Sequence, residues 1–179
     1  MTEKYYTGVG SRETPKIILR KMELLGTAAA KKGYTLRSGG ADGADTAFEI
    51  GANLANCWGI DGKREIYLPW IAFNNRVNDD DIVLVDIDFR LKDQASNMVD
   101  EIHPAFWNLG VGGRSLHMRN CFQVLGQDLK TPSEFVICWT KNAKLVGGTA
   151  TAIRLALKHK IKVYNLADTF DTVALEKIL

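Results

Sequence analysis

The sequence predicts an α/β fold in which a mainly parallel sheet lies between two layers of helices. Strand-like apolar runs alternate with segments of helical periodicity in both halves of the chain, which favours parallel pairing through right-handed crossovers. The run Phe135–Trp139 is apolar throughout, as in central parallel strands. Three of the predicted strands are followed by turns of glycine and small residues. With 179 residues, the chain is expected to form a single domain, 1–179.

The first third of the chain reads strand–helix–strand–helix–strand. Apolar residues recur at helical spacing from Ile17 to Ala29, and Gly33 ends that helix. The alanine-rich segment 44–57 predicts a helix that packs closely on a sheet. The three predicted strands are Tyr5–Gly10, Tyr34–Arg37 and Arg64–Pro69.

An irregular segment at about 70–113 interrupts this alternation, and we expect it to be an insertion that forms a lid or a dimer surface. Within it, Ile82–Asp88 predicts an extra strand and Lys92–Ile102 predicts a helix. The acidic segment Asn78–Asp81 is expected to be a solvated turn rather than a cation site. Asn108–Gly113 is expected to be a glycine-rich loop.

The regular alternation resumes at Arg114. A helix over 114–126, the strand 135–139, a helix over Ala150–His159 and the strand Lys162–Leu166 are predicted in that order, and 169–179 is expected to form a short closing helix.

Charge and composition limit the classes of function. The net charge of +2 excludes a basic field over the whole protein, although a local basic face remains open in the last third of the chain. Three widely spaced cysteines without a CxxC pair disfavour a zinc ribbon or a redox dithiol, and the histidines lack metal-ligand spacing, so no metal or cofactor is expected. The first residues lack a signal pattern and no apolar run approaches membrane-spanning length, so a cytoplasmic protein is expected.

The glycine turns carry the predicted site. Glycine lets the backbone approach a phosphate, and the N–H groups that begin a helix then point at it. Because parallel strands end at one edge of a sheet, these turns are expected to line one cleft there, with hydroxyls from Ser11, Ser38, Thr149 and Thr151. The predicted ligand-binding residues are Gly10, Ser11 and Arg12 in the first turn, Ser38, Gly39, Gly40, Ala41, Asp42, Gly43 and Asp45 in the second, and Gly147, Gly148, Thr149, Ala150 and Thr151 in the third.

Neither the dinucleotide fingerprint nor a P-loop occurs in the sequence. Instead, four motifs in register resemble the SLOG superfamily, which joins the Rossmann-like domain of DNA-processing protein A (DprA) with the LOG enzymes. They are Gly10–Arg12, Ser38–Asp45, Arg119-Asn120 and Gly147–Ala152. The resemblance covers roughly 4–60 and 114–167 and is closest to small stand-alone DprA-like proteins, many of them carried by phages. It implies a Rossmann-like three-layer domain, frequent dimers, and a site that includes Arg119 and Asn120.

The resemblance leaves catalysis open. LOG enzymes carry a catalytic Glu in the second glycine motif, and the corresponding position here is Arg154. Glu49, Asp42 and Asp45 are the remaining candidate carboxylates, although a helix cap or a contact to ribose hydroxyls is the simpler role for them.

The favoured function is the binding of a nucleotide or another phosphoribosyl ligand, with phosphates on the glycine turns and Arg12 and Arg119 neutralising charge. The alternatives are single-stranded DNA binding of the DprA type and phosphoribohydrolysis of the LOG type. The expected partners are a nucleotide-derived small molecule, a single DNA strand in the second case, and a second copy of the chain, contacted through the helix at 114–126 or the insertion.

Overall fold

The computed structural model describes residues 3–77, 81–85, 88–145 and 147–179. It contains a six-stranded sheet in the order β4-β3-β2-β1-β5-β6, and every neighbouring pair is parallel. The strands are β1 (Lys4–Gly8), β2 (Tyr34–Ser38), β3 (Arg64–Leu68), β4 (Ile82–Leu84), β5 (Phe135–Cys138) and β6 (Lys162–Asn165). The predicted three-layer α/β fold is therefore confirmed, with a described sheet that is parallel throughout.

Among the described residues, six α-helices cover the two faces of this sheet. They are α1 (Lys16–Lys31), α2 (Ala44–Asn56), α3 (Phe89–Asp100), α4 (Val111–Leu125), α5 (Gly147–Lys158) and α6 (Thr169–Glu176). Residues of α1, α2 and α6 share one apolar cluster with Tyr6 and Leu36, whereas residues of α3, α4 and α5 share another with Val136 and Cys138. The alternation of side chains along each strand thus divides the core into two halves.

The helices α1 and α2 lie unusually close together. A Cβ atom on Gly51 would lie 2.3 Å from the carbonyl oxygen of Glu23, and one on Gly26 would lie 2.9 Å from that of Phe48. Thr27 Oγ1 donates a hydrogen bond across the same contact to the Gly51 carbonyl, at 2.8 Å. This close packing explains the small residues of α2.

The described part of the segment 70–113 adds one strand to the sheet and one helix to a helix layer. β4 extends the sheet next to β3, and α3 packs against α4. The extra strand at Ile82–Asp88 was predicted too long, because the described strand ends at Leu84, and residues 86 and 87 of that prediction lie outside the described residues. Of the acidic turn at 78–81, only Asp81 is described, and it pairs with Arg64.

The glycine-rich loop predicted over Asn108–Gly113 is wrong in its second half. α4 begins at Val111, so Gly112 and Gly113 belong to its first turn. Helix periodicity could not reveal this start because these glycines have no side chains to pack. The buried half of α4, Met118–Leu125, lies inside the domain, so only the first turns of this predicted dimer surface are available to a partner.

Candidate functional site

The order of the strands reverses between β1 and β5. β1 lies beside β2 on one side and β5 on the other, although β5 follows it in the chain by more than a hundred residues. In open parallel sheets, such a reversal separates the two crossover connections and leaves a crevice at the carboxyl ends of the strands. The chain leaves β1 through Val9–Arg12 and leaves β5 through Trp139–Lys141, so both segments border this crevice.

A cavity of about 500 Å³ occupies the crevice. Ten of the predicted ligand-binding residues line it, and they come from all three glycine turns and from α4. They are Gly10, Ser11, Arg12, Ala41, Asp45, Arg119, Asn120, Gly147, Gly148 and Thr149.

The first two turns are packed directly against one another. Gly43 has a φ of +87°, and a Cβ atom there would lie 3.0 Å from the Cα atom of Arg12 and 3.1 Å from the Ser11 carbonyl oxygen. Only glycine combines this backbone conformation with so close an approach. Gly43 thus brings the turns after β1 and β2 together, without itself lining the cavity.

Arg119 and Asp45 form a buried ion pair at the wall of the cavity. Arg119 Nη1 lies 3.5 Å from Asp45 Oδ2 and also donates to the carbonyl oxygen of Gly39. A Cβ atom on Gly39 would occupy the place of this guanidinium. Burial raises the pKa of Asp45, while the charge of Arg119 opposes that shift. Arg119 therefore contacts the cavity, but a protein carboxylate already balances its charge.

The third turn is held in place by α4. Asn120 Nδ2 donates to the carbonyl oxygen of Gly148 at 2.9 Å. Gly147 and Gly148 are exposed, and Thr149 is half-buried, at the start of α5. The described part of this turn therefore presents the N-terminus of a twelve-residue helix to the cavity, although Val146 lies outside the described residues. Such a terminus favours an anionic group.

The other seven predicted residues do not line the cavity. Ser38 and Thr151 are fully buried, and their hydroxyls have protein partners: Ser38 Oγ donates to the Gly8 carbonyl at 2.8 Å, and Thr151 Oγ1 lies 2.7 Å from His117 Nδ1. Asp42 accepts a hydrogen bond from Asn74 Nδ2. The set outside the lining is Ser38, Gly39, Gly40, Asp42, Gly43, Ala150 and Thr151.

Six lining residues were not predicted from the sequence. Thr140 and Lys141 lie two and three residues after the end of β5, and Ser11 and Arg12 lie three and four residues after the end of β1, so the strand-end rule applied to every apolar strand would have found them. Gln123 lies one helical turn after Arg119, and this i, i+4 spacing was its only signal. The complete set is Val9, Glu13, Leu116, Gln123, Thr140 and Lys141.

Neither Glu49 nor Arg154 lines this cavity. Glu49 pairs with Arg76 beside a separate polar cavity of about 410 Å³ near β3 and β4, and burial raises its pKa. Arg154, at the position of the LOG glutamate, donates to the carbonyl oxygen of Leu145. Among the residues that the structure describes, no group of three or more potential ligand side chains is arranged to hold a metal ion.

His117 lies behind the third turn. Its ring is 4.6 Å from that of His103, and Nδ1 contacts Thr151. Burial, together with the positive charges of His103, Arg119 and Arg154, lowers the pKa of His117 to about 4. The imidazole is therefore neutral at pH 7 and links α4 to α5.

Two solved structures share this architecture. The Moco carrier protein of Chlamydomonas rheinhardtii superposes with a TM-score of 0.57 at 18% identity, over 96% of this chain and 80% of that one. The DNA processing protein A of Helicobacter pylori, whose structure concerns its single-stranded DNA binding mode, superposes with a TM-score of 0.57 at 20% identity, over 98% of this chain and 72% of that one.

No family model matches the sequence, and no curated protein matches it either. No helix among the described residues is long and apolar enough to cross a membrane. The structural likeness extends over nearly the whole chain. The chain therefore has a Rossmann-like three-layer α/β fold, which it shares with these two proteins.

Proposed function

We propose that the protein binds a nucleotide or a related phosphoribosyl ligand in the cavity between β1 and β5. The observation that carries this proposal is the meeting of the first and third glycine turns around one cavity, with the start of α5 in its lining. Its volume of about 500 Å³ lies within the usual range for small-molecule sites.

The charges of the lining favour an anionic ligand. Arg12 and Lys141 are exposed at the cavity and form no ion pair with any residue that the structure describes. Asp45 already balances Arg119, so Glu13 is the remaining acidic side chain of the lining. A phosphate is therefore expected beside Arg12, Lys141 and the backbone N–H groups that begin α5.

A thermal-shift titration with nucleoside mono- and diphosphates tests this proposal. The variants are Arg12→Ala and Lys141→Ala. Lys32→Ala is the control because Lys32 is exposed just before β2, at the amino ends of the strands, whereas the cavity lies at their carboxyl ends. Each cavity variant is expected to lower the affinity for the best-bound nucleotide about 10-fold or more, because it removes a hydrogen bond to a charged group. Equal affinities in all four proteins would contradict the proposal.

Single-stranded DNA binding is the second candidate, and an aromatic surface favours it. Trp70 and Trp107 are exposed next to the first turn of α4: a Cβ on Gly112 would lie 3.9 Å from the Trp70 ring, and Arg114 lies over the Trp107 ring. Exposed indole rings are suitable for stacking unpaired bases. The structural likeness to the Helicobacter pylori protein supports this candidate at the level of the fold.

Trp107→Ala separates the two candidates. If a single strand lies along this surface, the variant is expected to weaken the binding free energy of a thirty-base strand by about 1–3 kcal/mol and to leave the affinity for a mononucleotide unchanged. Affinity for the strand is also expected to fall steeply with salt, unlike that of a ligand held in the cavity. Fluorescence anisotropy at two salt concentrations measures both effects, and an unchanged strand affinity would count against this candidate.

A further inference from the structure

Gln123 is a buried glutamine whose side-chain amide has no hydrogen-bond partner in the part of the chain that the structure describes. It lies on α4, one turn after Arg119, and it is completely inaccessible to solvent. Its backbone carbonyl accepts a hydrogen bond from Thr7 Oγ1 at 2.7 Å. Its side-chain Nε2 and Oε1, however, have no hydrogen-bond partner among the residues that the structure describes. Burying an amide in this way costs free energy unless another group completes its hydrogen bonds.

Gln123 is one of the residues that line the cavity between β1 and β5, although its two amide atoms are covered by protein. The other buried polar side chains near it are already engaged, since Asn120 donates to Gly148 and Thr140 Oγ1 accepts from Asn165. Arg119 Nε is the one further atom of the described lining that is buried without a partner. The wall of the cavity therefore contains, on successive turns of α4, a neutral donor and acceptor and a guanidinium N–H that are buried without a partner among the described residues.

This chemistry differs from that of the cavity mouth. A phosphate at neutral pH offers acceptors only, so it would satisfy Nε2 and leave Oε1 facing negative oxygen atoms. A neutral planar group with an adjacent donor and acceptor satisfies both atoms, as a glutamine does when it contacts the edge of a nucleobase. Arg12, Lys141 and the start of α5 are placed to take the phosphate instead.

We propose that Gln123 reads the polar edge of a nucleobase inserted into the inner end of the cavity, while the phosphate stays at the mouth. The inference rests on the proposed function and adds to it the orientation of the ligand and the residue that determines its specificity. A binding site for phosphate alone would have no use for the Gln123 amide.

Calorimetric titration with the four common nucleoside monophosphates and with ribose 5-phosphate tests the proposal. Gln123→Met keeps the approximate volume of the side chain but removes the amide. We expect this variant to lower the affinity for the best-bound nucleotide about 10-fold or more, while the affinity for ribose 5-phosphate changes less than twofold. The control is Gln127→Met, since Gln127 is exposed just beyond α4. The thermal midpoint of Gln123→Met is expected to equal or exceed that of the wild type, because an unpaired buried amide has been removed.

Gln123→Glu is a second, independent variant. It replaces the donor–acceptor pair by acceptors, so the order of preference among the four bases is expected to change in favour of edges that present amino groups. An unchanged order in this variant, or unchanged nucleotide affinities in Gln123→Met, would overturn the proposal.

The same titration separates this proposal from the one on which it rests. If the wild-type protein bound ribose 5-phosphate as tightly as every nucleotide, base reading by Gln123 would be overturned while the proposed function would stand. If no probe bound the wild-type protein, both would fail.

Discussion

At the scale of single residues, the site depends on which polar groups the protein has already paired. Arg119 and Asp45 balance one another, and the hydroxyls of Ser38 and Thr151 bond within the domain. These paired atoms hold the turns in position, whereas Arg119 Nε is buried without a partner among the described residues. Arg12 is exposed at the cavity, so under the proposed function we expect the charge of a ligand to contact Arg12 rather than Arg119.

His117 gives a pH-dependent prediction at this scale. Its pKa of about 4 lies below the usual value of 6.5, so between these values the unfolded chain takes up a proton that the native protein does not. The contribution of His117 to stability is therefore complete above pH 6.5 and is lost as the pH falls toward 4. Carboxylates titrate in the same range, so the wild type must be compared with a variant.

The measurement is thermal unfolding of the wild type and His117→Gln between pH 7.5 and 4. The stability of the wild type relative to the variant is expected to shrink as the pH falls, because glutamine does not titrate. A difference that stayed constant over this range would show that the native His117 titrates normally.

At the scale of elements, some glycines of the turns make room for a neighbouring element. A sequence motif does not distinguish this role from contact with a ligand. Gly39 makes room for the Arg119 guanidinium, and Gly43 makes room for the Arg12 backbone. Both belong to the motif that predicted a phosphate cradle, but they position neighbouring elements and do not line the cavity. A sequence pattern reports that a small residue is required, whereas the structure reports what occupies the space.

The packing of α1 on α2 gives a prediction at this scale. Gly51→Ala places a methyl group 2.3 Å from the Glu23 carbonyl oxygen, so the helices must separate. We expect a loss of about 1–3 kcal/mol in the free energy of unfolding, measured by urea denaturation. Gly148→Ala is the matched control. Gly148 also lies in a helix, and beyond its chain neighbours and its own helix backbone no described atom lies within 4 Å of an added Cβ, so stability is expected to be unchanged or raised. Equal stabilities of the two variants would contradict the close approach of α1 and α2.

At the scale of the whole molecule, the parallel sheet and its helices were predictable because apolar strand-like runs alternate with segments of helical periodicity. The apolar runs 135–139 and 162–166 predicted the positions of β5 and β6 well, because buried strands leave a clear signal. The start of α4 was not predictable, since Gly112 and Gly113 carry no periodicity. Gln123 was missed because nothing in the sequence distinguishes an unpaired buried glutamine from a paired one.

The order of the strands connects these scales. The sequence predicts that the strands are parallel, but the reversal between β1 and β5 arises from long-range pairing, which a local pattern does not encode. This reversal leaves the crevice in which the first and third turns and the inner face of α4 meet. Homodimer formation stays a prediction, and the first turns of α4, with the exposed Trp70 and Trp107, are the surfaces on which it would depend.

The proposed function requires that a nucleotide or a related phosphoribosyl ligand lie in the cavity between β1 and β5. The most direct test follows backbone amide resonances of isotope-labelled protein during titration with the nucleotide that stabilises it most. We predict that the largest shifts occur at Ser11, Arg12, Gly148 and Thr149, with a further change in the Gln123 side-chain amide. Shifts confined to the polar cavity beside Glu49, or to the surface around Trp107, would place the ligand elsewhere and contradict the proposed nucleotide site.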